Sequence, residues 1–157
     1  MRIAHYAVAT AVGFSMGIGI VGYKVPQSDK LNSEGLKKMA EGLGFELKTI
    51  NAEVGKEKYE IPVKSATLNI PVGAEVSAST NYIWLTVNLG ANSGTKKHEE
   101  MLKSNGSIQP CFFYVSSKGA LMMAEPIDNR GVTPAILKRC LDKLVADVDK
   151  TATIWQN

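Results

Sequence analysis

The chain has 157 residues, 45% of them hydrophobic and 21% charged, with a formal net charge of +3. That length suits one domain with a hydrophobic core, and the composition excludes disordered, collagen-like and disulfide-dense chains. Basic residues fall in small groups with acidic neighbours close by, as at Lys37 and Lys38, Lys96 and Lys97, and Arg139 and Lys143. No arginine stripe interleaved with aromatics appears, so nucleic acid is not an expected partner.

The first predicted element is apolar. From Ile3 to Tyr23 no side chain carries a formal charge, and Arg2 precedes the run. A helix of that length, rising about 1.5 Å per residue, spans a hydrocarbon core roughly 30 Å thick. A membrane anchor fits the length, with Tyr23 and Lys24 suited to the interface. A cleaved signal peptide is the alternative, with Ser15 and Gly17, or Gly17 and Gly19, as its small residues. A buried helix of a soluble protein fits less well, because β-branched residues and glycines fill the run without a polar face. Ala9, Gly13 and Gly17 form a small-xxx-small row, which an Ala- and Gly-rich stretch also produces unaided. The run Gly17-Ile18-Gly19-Ile20-Val21-Gly22 matches G-x-G-x-x-G but ends an apolar segment instead of opening a helix after a strand, so it is not read as a nucleotide loop. The expected organisation is therefore a signal peptide or membrane anchor at 1–23, a linker at 24–31 and a single domain at 32–157. Its expected location is the cell envelope, on the extracytoplasmic side.

Asn32 or Ser33 can cap a first helix in which Leu36, Met39, Ala40 and Leu43 share one face, and Gly44 supplies a left-handed stop with Phe45 packing back. Phe45 to Asn51 alternates as an edge strand. Lys56 to Ser79 is rich in Val, Ile and Thr, and Pro62 and Pro71 confine it to edge strands or corners. Tyr82 to Leu89 is the strongest strand, with Ile83, Leu85, Val87 and Leu89 on one face and Tyr82, Trp84, Thr86 and Asn88 on the other. Gly90 to Lys97 tempts as a phosphate loop, but three residues separate its glycines and Thr precedes Lys, so it reads as a strand-to-helix turn with Ser93 or Thr95 as N-cap. A charged helix from Thr95 to Ser104 follows. Cys111 to Val115 is a strand, Ser116 to Gly119 a turn, and Ala120 to Glu125 its partner strand. Thr133 then caps a long helix with Pro134 at its first position. Ile136, Leu137, Cys140, Leu141, Leu144, Val145 and Val148 form its apolar stripe. The order predicts an α+β fold, an antiparallel sheet with helices packed on one face.

This order resembles the YbjN-like proteins, whose fold is similar to that of type III secretion chaperones. The residues that carry the resemblance are Ala40 to Phe45 closing the first helix, Tyr82 to Leu89 as central strand, the hairpin Val115 to Met123 around Lys118-Gly119, and the run from Pro126 to Lys150. The resemblance implies an α-β-β-β-α-β-β-α domain after the apolar helix. It also implies a non-enzymatic protein-binding role, often dimeric, with no catalytic residues to carry over. Secretion chaperones of this fold are typically acidic and cytosolic, whereas this chain is slightly basic and opens with a membrane-directed segment.

No constellation predicts catalysis, a cofactor or a metal. Cys111 and Cys140 are the only cysteines; they read either as a candidate disulfide tying the hairpin to the last helix or as two buried thiols. His98 lies in a charged helical turn and His5 in the apolar segment, which leaves no zinc set. Glu99 and Glu100 diverge around a helix, and Asp128 with Arg130 reads as a turn-stabilising pair or a ligand contact. Tyr82 and Trp84 are the candidate interaction surface, the alternative being a second layer of core. The expected function is an envelope-associated domain that binds a protein partner or itself, a homodimer included, and meets the membrane through its N-terminal segment. The alternative is a small-molecule-binding protein or enzyme using a pocket between the sheet and the last helix, with Cys111 or Cys140 beside His98.

Overall fold

A computed structural model describes residues 30–93 and 97–156. The expected apolar helix at 1–23, and most of the expected linker, lie outside the described residues. Helix α1 (Ser33–Gly42) starts where Asn32 accepts a hydrogen bond from the Gly35 N–H at 2.8 Å. It stops through the left-handed Gly44, φ +87°. There the Gly44 N–H bonds to Glu41 O and the Phe45 N–H reaches back to Ala40 O, satisfying carbonyls the helix would leave open.

Strands β1 (Lys48–Asn51), β2 (Lys58–Lys64), β3 (Asn69–Val76) and β4 (Tyr82–Ala91) follow as an antiparallel meander. Helix α2 (His98–Asn105) leads to β5 (Phe112–Val115) and β6 (Ala120–Asp128). The sheet order is β1-β2-β3-β4-β6-β5, all neighbours antiparallel. Helix α3 (Pro134–Lys150) begins at the Thr133 cap, and the short α4 (Ala152–Trp155) ends the described fold.

Four strands, not three, precede α2, because the proline-bearing stretch folds into a full hairpin. Ser65 closes its turn by bonding Leu68 through both backbone and side chain. Pro62 and Pro71 stand opposite one another within it. The rule that confines proline to edges holds locally. β1 pairs only as far as Glu60, and β3–β4 pairing begins at Val72, so neither proline faces a third strand. Pro126 repeats the device in β6, whose pairing with β5 ends at Ala124. β6 therefore runs on to Asp128, beyond the expected end at Glu125.

Two boundaries differ near α2. The helix starts at His98 with Lys97 at its N-cap position and no side-chain cap bond, so Ser93 does not cap it; Thr95 lies outside the described residues. Gly90, φ +101°, belongs to a bulge within β4, its N–H bonded to Asn88 Oδ1 at 2.9 Å.

The core lies between sheet and helices. Ile61, Val72, Ile83, Leu85, Met123 and Leu121 face Leu36 of α1 and Leu137, Leu141 and Leu144 of α3, all of them buried. Lys30 and Leu31, read from the sequence as linker, already belong to the fold. Lys30 bridges to Arg130, and Leu31 packs on the core.

The two sheet edges are treated differently. At β5 the Asn105 side chain acts as a one-residue strand. Its Oδ1 accepts from the Phe113 N–H at 2.7 Å, and its amide donates to Phe113 O at 3.3 Å. Asn105→Ala is expected to cost about 1–2 kcal/mol and to free that edge for pairing with a second chain. A lower melting temperature together with increased concentration-dependent association would bear this out; an unchanged melting temperature and oligomeric state would not.

Candidate protein-interaction face

The pleat of β4 sends Tyr82, Trp84, Thr86 and Asn88 to the face opposite the helices. The registers place Trp84 opposite Pro126, Thr86 opposite Ala124, and Phe112 of β5 opposite the same Ala124. Between two aromatic-bearing strands, β6 thus offers a flat proline and a small alanine, and the rings meet across it.

Tyr82 and Trp84 have centroids 6.2 Å apart, Trp84 and Phe112 6.3 Å at 82°, and Phe112 and Tyr114 5.8 Å. These are the separations of tilted and edge-to-face pairs. Four rings therefore form a continuous ribbon. Tyr82 at its end is 46% exposed, while Trp84, Phe112 and Tyr114 are half-buried against one another. The ribbon is neither a scatter of exposed aromatics nor a sealed second core. Burial raises the Tyr114 phenol above its ordinary range, with the Glu75 carboxylate adding to the effect. Beside the ribbon, Lys58 Nζ pairs with Glu75 at 3.2 Å, giving it a polar border.

Sequence reasoning named Tyr82 and Trp84 but not Phe112 and Tyr114. The alternation of Cys111 to Val115 carried the signal: Cys111 and Phe113 are buried, which turns Phe112 and Tyr114 to the other face.

The candidate nucleophile does not assemble. His98 sits over β5, with a ring nitrogen 2.6 Å from Asn92 Oδ1, in a cleft lined by Met101, Leu102 and Phe113. Neither cysteine lines that cleft. Cys111 and Cys140 are free, buried thiols, so the candidate disulfide is not formed. The Cys111 Sγ–H donates to Glu125 Oε2 at 3.2 Å, and Cys140 hydrogen-bonds to the same side chain. Burial, then the Glu125 charge, pushes the Cys111 thiol far up. Burial and Glu125 likewise push Cys140 up to about 12. Thiols this basic are not nucleophiles at neutral pH.

Asp128 and Arg130 pair within their turn, with Arg130 Nε 2.9 Å from Asp128 Oδ1. The Arg130 hydrogen bonds hold the Asp128 carboxyl at about 2. No cluster of His, Cys, Asp or Glu suited to a metal ion occurs among the described residues.

Glu125 was not singled out by sequence reasoning. It occupies the core-facing row of β6 with Leu121, Met123 and Ile127 and is 2% exposed. Burial raises its carboxyl above the ordinary glutamate range, opposed by hydrogen bonds from Cys140 and Cys111 and by the Lys143 charge. A folded-state value above the unfolded one makes this group's contribution most favourable below the unfolded value, about 4.3, and progressively lost as pH rises through the folded value. Glu125→Gln is therefore expected to gain stability over the parent at pH 7 relative to pH 4. Denaturant titrations at both pH values check this, and an equal difference at both would contradict it.

No protein-family model matches the chain, and no curated protein matches it. Solved structures do match in fold. A chain of the HopA1–SchA chaperone–effector complex superposes with a TM-score of 0.54 at 13% identity, over 73% of this chain and 88% of that one. A chain of the heterodimeric ExoU–SpcU complex from the type III secretion system of Pseudomonas aeruginosa gives 0.53 at 16% identity, over 75% and 95%. The domain thus has a secretion-chaperone-like α+β fold, as the resemblance implied, with one strand more before α2.

Proposed function

We propose that this is a non-enzymatic protein-binding domain of YbjN-like type whose partner seats on the Tyr82–Trp84–Phe112–Tyr114 ribbon. The ribbon carries the reading: apolar rings on a sheet face, half open and rimmed by charge, are what a partner's apolar residues can cover. The absence of a nucleophile–base pair among the described residues supports binding over chemistry. One of the complexes named above pairs a chaperone with an effector and the other is a heterodimer, and a protein partner suits this face, whether another protein or a second copy of the chain. Loss of partner capture in Trp84→Glu, with the fold intact, is the test.

The reading places the domain at the cell envelope, tethered or exported by residues 1–23. The charge-free run from Ile3 to Tyr23 supports this, because a helix of that length spans a hydrocarbon core. Fractionation of native cells with N-terminal sequencing is expected to find the protein in the envelope, either starting at Met1 in the membrane or trimmed within the apolar run. A full-length protein in the cytosol would refute the placement.

A further inference from the structure

Between β6 and α3 lies a cleft of about 560 Å³ that the interaction ribbon does not use. Its volume falls in the range of small-ligand sites. Three cations line it, and two are already engaged. Arg130 is held by Asp128, and Lys143 by Asp147 and by the carbonyl of Ile108 at 2.9 Å. Arg139 is exposed and pairs with no carboxylate among the described residues. Its planar fork matches a carboxylate in two parallel hydrogen bonds.

The wall offers the complementary group. Glu125, buried in the core-facing row, borders the cleft beside Cys140, and Cys140 contacts both Glu125 and Arg139. The groups facing Glu125 are Cys111 ahead of β5 and Cys140, Lys143 and Asp147 of α3. Its burial favours the neutral carboxyl, which donates one hydrogen bond. A donor in the wall and an open guanidinium at the rim suit a singly charged planar acceptor. A dianion would meet the Asp128 carboxylate, and a cation would meet Arg130, Arg139 and Lys143. Ile127 and Ile136 leave apolar wall for a short hydrocarbon body.

We propose that the cleft between β6 and α3 binds a monocarboxylate, gripped by Arg139 at the rim and hydrogen-bonded to Glu125 within. Its source is a free aromatic or aliphatic acid or the carboxyl terminus of a peptide. Calorimetry on the full chain at about pH 5.5 and about pH 7.5 separates these. The probes are benzoate and benzamide, and acetyl-Ala-Phe with a free or an amidated terminus. Either carboxylate is expected to bind at least about tenfold tighter than its amide, and tighter at the lower pH. Benzoate alone would mark a small acid as the source, the peptide acid alone a chain terminus, and both a carboxylate site open to either. Arg139→Gln, a surface change, is expected to weaken binding at least about tenfold. Glu125→Gln should keep binding, because its amide also donates, yet lose the pH dependence. No carboxylate binding at millimolar concentration, equal binding of the amides, or unchanged affinity in Arg139→Gln would each overturn the proposal.

Discussion

Asn129→Ala is expected to lower stability by about 3 kcal/mol and the melting temperature by about 10 °C. Asn129 is fully buried. Its Oδ1 accepts from the Leu31 N–H at 3.1 Å, and its amide donates to Leu31 O at 2.8 Å and to Thr80 O at 2.9 Å. Its own N–H reaches Asn81 O at 2.9 Å. One side chain thus ties the segment leading into α1 and the turn between β3 and β4 to the turn after β6. Alanine would leave those backbone groups without their partner in a site closed to water, and the penalty for such orphaned groups exceeds the net worth of the bonds. Asn129→Asp keeps only the bond from the Leu31 N–H and sets a carboxylate against two carbonyls, so it should be no milder. Denaturant unfolding checks both variants; a loss under 1 kcal/mol would show that the tie is dispensable.

Leu85→Ala is expected to cost about 3 kcal/mol, while Trp84→Glu, one residue away, should cost much less stability and most of the partner binding. The pleat separates the two effects. Leu85 is fully buried toward the helices, where truncation removes apolar contact and leaves a cavity. Trp84 lies on the ribbon with one side half open, so a glutamate there can reach water. A carboxylate in the centre of an apolar contact is costly when a partner closes over it. Leu85→Ala, measured well below its melting temperature, is expected to bind with close to parental affinity. Parallel unfolding and binding measurements separate the two roles, and a variant pair with the same profile would contradict the assignment of faces.

Much of this architecture was legible in local pattern. The two faces of β4, the stripe of α3 and the caps at Asn32 and Thr133 follow from periods of two and 3.6 and from side chains that bond backbone a few residues away. What escaped depends on distance. The prolines in β2, β3 and β6 look like strand-breakers until the registers show that no third strand reaches them. Asn129 reads as an ordinary turn residue because two of its partners lie 98 and 49 positions away. Half of the aromatic ribbon was visible on β4. The other half required knowing that β5 and β4 flank β6 and that Ala124 and Pro126 leave room between them. Glu125 was passed over because its strand was expected to end there, whereas continuation to Asp128 puts it in an inward slot.

The central claim is that the aromatic ribbon holds the partner. The most direct measurement is the dissociation constant of the native partner, identified by cross-linking in cells, for the parent and Trp84→Glu, with Lys48→Glu on the distal edge strand as a charge control. A hot-spot loss of about 2 kcal/mol or more predicts that Trp84→Glu weakens binding at least roughly 30-fold while Lys48→Glu changes it less than about threefold. Equal affinities for the parent and Trp84→Glu would place the partner elsewhere and contradict the account.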